Sequence, residues 1–148
     1  MKGGEGGATA GLPPDIALTS RLLMMAGHLR AGANLLGGRD LQQASLHFAH
    51  PEAEIYHEAE KLFPAFGVAL FRSSLKRTLD LAIQKAPRSE IQAALGIAKG
   101  DIDRALEKVA STAKLSVAGT ARAVVVVMQA AAQEYDGSIK AGRFVNIE

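Results

Sequence analysis

The sequence predicts an all-α fold, an up-and-down helical bundle of about five helices that begins with an N-terminal helical hairpin. Three observations carry this reading. Hydrophobic residues fill 48% of the 148 positions while aromatics fill only 5%, with no tryptophan, the profile of helices packed through small side chains. Apolar residues recur at intervals of three and four through most of the chain. Glycine and proline punctuate those stretches where helices have to start and stop. The length suits one domain with a real core, so residues 1–12 read as a flexible glycine-rich tail and residues 13–148 as a single bundle domain.

Met1 to Gly11 holds five glycines and has neither an h-region nor an amphipathic pattern. It is expected to be loose, and no export signal is visible in it. Pro13-Pro14-Asp15 opens the first helix, with Asp15 able to cap. Ile16, Leu22, Leu23, Leu29, Ala33 and Leu36 carry that helix from about Asp15 to Leu36, and Gly37-Gly38 stops it. Asp40 caps a short second helix through Leu41, Ala44, Leu46 and Phe48, expected to end or kink at His50 because a proline disfavours helix in the residue before it. Pro51, Glu52 and Glu54 suit the positive end of a new helix reaching about Phe63, broken by Pro64 to Gly67.

A further long helix is expected over Val68 to Lys85, stopped by Pro87. The next starts near Ser89 and places Ile91, Ala94, Leu95, Ile102, Leu106 and Val109 on one stripe, interrupted by Gly96 and Gly100. The last runs from about Thr112 to Tyr135 and should stop at Asp136-Gly137. Val124 to Val127 has strand propensity, but alanines on both sides outweigh it. Ile139 to Glu148 reads as the start of another element.

Charge and composition exclude several function classes. The 17 basic and 15 acidic residues are interspersed, and no basic run exceeds two, so a nucleic-acid partner is not expected. The most apolar segment, Leu115 to Ala132, is interrupted by Arg122 and Gln129, which predicts a core helix and no membrane span. With no cysteine, the chain has no disulfides, thiolate sites, iron-sulfur clusters or thioether-attached haem. Neither a Walker loop nor a nucleophile elbow appears. Glu54-Ile55-Tyr56-His57 is a single Glu-x-x-His motif, and a di-iron bundle needs two on separate helices.

The informative feature is the histidines. All four lie between His28 and His57, on either side of Gly37-Gly38. His28 precedes Gly37 by nine residues, while His47 and His50 follow Gly38 by nine and twelve. At about 1.5 Å of rise per residue, two antiparallel helices bring those three imidazoles to one height. Converging imidazoles hold transition metals. The expected ligands are His28, His47 and His50, with Glu54 fourth and His57 as a substitute, because residues three or four apart share a helix face. Tyr56 and Glu58 are candidates to orient the imidazoles by hydrogen bonds. Met24 and Met25, one turn before His28, read either as soft ligands that favour copper or as core filling. The competing reading of the histidines is a set of surface and capping residues.

The same segment has the rhythm of one helix-turn-helix repeat, with Gly32, Leu35, Ala44 and Phe48 at its small and large positions, but no second copy follows near a period of 34. Gly27-His28-Leu29, Gly32, Leu35, Ala44, His47, His50-Pro51, Glu54 and Tyr56 resemble a pattern of poorly characterised bacterial exported helical proteins. The ending Gly142 to Glu148 resembles the lead-in to a final helix in those proteins, some of them distantly similar to imelysin-type iron-uptake proteins. The resemblance implies a periplasmic location and His28, His47, His50 and Glu54 as the residues to carry over. The imelysin His-x-x-Glu spacing occurs here only as His57-Glu58-Ala59-Glu60.

The expected function is therefore a non-enzymatic bundle that captures or delivers a divalent transition metal, iron, copper or zinc, in exchange with a protein partner or membrane transporter. The alternatives are a helical interaction subunit of a larger assembly, a haem-binding bundle with bis-histidine ligation, and, least favoured, a metalloenzyme.

Overall fold

The structure is a computed structural model that describes residues 5–140, with the side chains of all of these except 5, 6, 135 and 137–140. Every regular element in it is helical. A short 3-10 turn, Glu5–Thr9, leads into α1 (Pro14–Gly37), α2 (Leu41–His50), a π-helical turn (Pro51–Ile55), α3 (Tyr56–Glu60), α4 (Phe63–Phe66), α5 (Arg72–Ile83), α6 (Arg88–Ala113) and α7 (Val117–Lys140). Five of these helices have seven residues or more, as the sequence leads one to expect. No described helix is long and apolar enough to cross a membrane.

α1 is the axis of the bundle. Its buried residues run around most of its circumference, from Ile16, Ala17 and Leu18 to His28, Leu29, Gly32 and Leu36. It is covered by α2 on one side and by α6 and α7 on others. A helix apolar on nearly every face belongs in an interior. α6 approaches closely because Ala94, Ala98 and Ala105 line its inward stripe and are buried. That is where the alanine-rich composition acts: small side chains shorten the distance between helix axes, which lets the larger side chains interdigitate.

The hairpin between α1 and α2 forms as expected, with one local difference. Gly38 keeps an ordinary φ of −75°, and the left-handed residue of the turn is Arg39, at φ 69°. Asp40 then caps α2, its carboxylate accepting the Gln43 N–H at 3.0 Å. Gly32 is needed for close approach. A Cβ there would lie within 3.0 Å of three ring carbons of the fully buried Phe48, so only glycine lets α2 sit this near α1.

Three expectations from the sequence are corrected. The rod does not break at Pro51: His50 keeps helical angles (φ −56°, ψ −46°), and the chain continues through a π turn closed by the Tyr56 N–H donating to the Pro51 carbonyl. Proline has no N–H to give to the carbonyl four residues back, and the wider turn accommodates that loss without ending the helix. Residues 68–71 are not helical, and α5 starts at Arg72. There the Phe71 N–H donates to the Tyr56 hydroxyl at 2.9 Å, and the Phe71 ring joins Tyr56 and Phe63 in a buried aromatic cluster. That tertiary pairing outweighs local helix propensity. Finally, α7 runs through Asp136-Gly137 to Lys140. The element expected over 139–148 lies mostly outside the described residues.

Part of the described N-terminal segment, expected to be loose, packs onto the bundle. Thr9 is buried, and Ala8 and Leu12 pack against the core.

Candidate metal centre

Two elements build the site. α1 presents His28 one residue before the fully buried Leu29, and α2 presents His47 and His50 one turn apart on the face flanking Phe48. Because the hairpin is antiparallel and tightly closed at Gly32, the three imidazoles meet at one height. Ring centroids are 4.8 Å apart for His28 and His50, 5.6 Å for His28 and His47, and 6.3 Å for His47 and His50. His28 is 9% exposed, while His47 and His50 are half-buried. The cluster therefore sits at the rim of the core, reachable from outside.

The donor atoms give the arrangement its chemistry. The Nδ1 atoms of His28 and His47 are 3.3 Å apart, so one carries a proton and donates it to the other. The same separation is that of two nitrogens on one tetrahedral ion: at metal-nitrogen bonds of about 2.0–2.1 Å, they lie about 3.3–3.4 Å apart. Nδ1 of His50 is buried and has no hydrogen-bond partner. An unsatisfied buried nitrogen costs about 1–3 kcal/mol, a cost that an ion would relieve. Among the described residues, no group of three or more His, Cys, Asp or Glu side chains is already arranged to hold an ion.

Glu54 and His57 are both exposed, whereas the three imidazoles are buried or half-buried. A π turn adds one residue to the helical repeat, which rotates everything beyond it by about 100° relative to an uninterrupted α-helix. Glu54 lies within that turn and is exposed. His57 is 62% exposed and its Nδ1 pairs with Glu60 at 3.3 Å. The residues expected to orient the imidazoles are committed elsewhere too. The Tyr56 hydroxyl accepts the Phe71 N–H, and Arg72 lies over its ring at 5.3 Å. Glu58 pairs with Lys61 at 2.5 Å, an interaction that holds its carboxyl below the usual range.

Met24 and Met25 are both buried in the hydrophobic core, which matches the core-filling reading. The feature that sequence reasoning missed is the π turn, whose only signal is Pro51 inside an otherwise helical pattern.

Comparison of the chain with family models, with curated proteins and with solved structures found no match in any of the three.

Proposed function

We propose that this chain is a non-enzymatic helical bundle that binds one divalent transition ion at His28, His47 and His50, for capture or delivery. The observation that carries the reading is the buried, partnerless Nδ1 of His50, in a ring centred 4.8 Å from that of His28, whose own Nδ1 lies 3.3 Å from that of His47, the spacing of neighbouring ligands on one ion. An ion between the two Nδ1 atoms takes the place of their hydrogen bond, the donating ring shifting its proton to Nε2 by tautomerisation, and a side-chain rotation of the half-buried His50 brings the third nitrogen. A ligand set made only of imidazoles favours copper or zinc over iron, which more often takes carboxylates as well. The fourth position is left to water or to an incoming ligand, the open arrangement that suits an ion to be passed on. Capture in the periplasm and transfer to a protein partner or membrane transporter is the setting the sequence resemblance implies, and it belongs to this proposal.

The test is the metal content of dialysed protein, measured by elemental analysis with His28→Ala and His47→Ala alongside. Close to one equivalent in the parent chain and a loss in both variants supports the reading. Equal metal in all three proteins, or none in the parent after incubation with zinc or copper, overturns it.

A further inference from the structure

α7 is apolar on two opposite faces, and the bundle uses only one. Ala123, Val126 and Ala130 are buried on the inner face, where Ser20 on α1 donates to the Ala123 carbonyl at 3.4 Å. On the outer face Val117, Ala121, Val124, Met128 and Ala131 are all exposed, Val117 at 89% and Met128 at 65%. They succeed one another at steps of four, three, four and three. That is the 3.5-residue period of a helix paired lengthwise with another helix.

We propose that this face is the contact between two copies of the chain, α7 against α7. Charge favours the second copy. The positions bordering the seam are Ala118, Val125 and Ala132 on one side and Thr120, Val127 and Glu134 on the other, so the seam meets its own image with a single charged residue per chain beside it. The remaining exposed large apolar side chains do not compete as a complement. Leu46, Leu70, Ile83 and Ile97 stand on α2, on the 67–71 segment, on α5 and on α6, and make no second stripe among the described residues. A lipid surface fits less well, because the only basic residue on α7 before its last position is Arg122, and interfacial helices carry a Lys- and Arg-rich face.

Size sets the strength. From Val117 to Ala131 the seam is about 21 Å long on a helix about 10 Å wide, which gives a few hundred Å² per copy. A standard stable interface needs about 800 Å² per partner. The dimer is therefore reversible and concentration-dependent.

Sedimentation equilibrium of the full chain between 10 μM and 1 mM, with a chelator present, tests this apart from the metal site. The expected result is a monomer at the low end and a dimer at the high end. Met128→Glu and Val124→Glu each shift the midpoint more than tenfold toward monomer with helical circular dichroism unchanged, and mixing Met128→Glu with Met128→Lys restores pairing. Should a charge on the middle of α7 reduce helicity, Val117→Lys at its exposed end reads the same contact. A chain that stays monomeric at 1 mM, a dimer indifferent to all of these variants, or a Met128-dependent affinity for phosphatidylglycerol vesicles without dimerisation overturns the proposal.

Discussion

His28 and His47 face each other across the first hairpin with their Nδ1 atoms 3.3 Å apart, and the close contact of Gly32 with Phe48 sets that distance. Sequence spacing places the two imidazoles at one height. Whether they touch depends on how near α2 comes to α1, and a single glycine controls that. The site is therefore a consequence of packing as much as of ligand choice.

Gly32→Ala tests this link. The added methyl overlaps the Phe48 ring, and overpacking of a filled core costs about 1–3 kcal/mol. The urea midpoint should fall, and affinity for zinc should fall at least tenfold although every histidine remains. A variant as stable as the parent, with unchanged affinity, would mean that the helices do not approach as described.

Asp40→Ala removes the cap of α2 and leaves the Gln43 N–H without its acceptor. The expected loss is about 1 kcal/mol in chemical denaturation. Asp40→Asn, which can still cap, should lose only a fraction of that.

Glu54→Gln and His57→Ala separate the structural ligand set from the wider one legible in the sequence. Both side chains are exposed, and His57 pairs with Glu60. Zinc affinity should stay within about twofold of the parent in each, read by competition with a chromophoric chelator.

Tyr56 contributes to the loss of stability at alkaline pH. Burial raises its hydroxyl above the ordinary tyrosine value, partly opposed by hydrogen bonds from the Phe71 and Arg72 backbone. Because the folded value lies above the unfolded one, the stabilisation is complete below about pH 10 and is lost as pH rises through the folded value. Tyr56→Phe should cost about 1–3 kcal/mol at pH 7, where it strands the Phe71 N–H. It should also flatten the decline of the urea midpoint between pH 9 and 11.

Much of the fold could be read from the chain because caps and breakers act locally. Asp40, Pro87 and the apolar repeat of α6 mark elements that the structure places within a few residues. The misreadings at Pro51 and at residues 68–71 have different causes, one local and one tertiary. Pro51 ends a helix by local rules, yet here a π turn carries the rod past it. Val68 to Phe71 has helical composition, yet the aromatic cluster of Phe71 with Tyr56 and Phe63 holds it out of the helix. The candidate site divides the same way. His28, His47 and His50 follow from spacing around the hairpin, whereas the direction of Glu54 and His57 depends on how the chain passes Pro51, which spacing leaves open and a turn widened to five residues decides.

The most direct measurement is a cobalt(II) titration of dialysed protein followed by visible absorption, with a His28→Ala, His47→Ala double variant as reference. The account predicts saturation at one equivalent per chain, with bands between 500 and 650 nm of about the strength of a tetrahedral nitrogen site, displaced by zinc and missing from the double variant. No spectral change, or the same spectrum in both proteins, would contradict it.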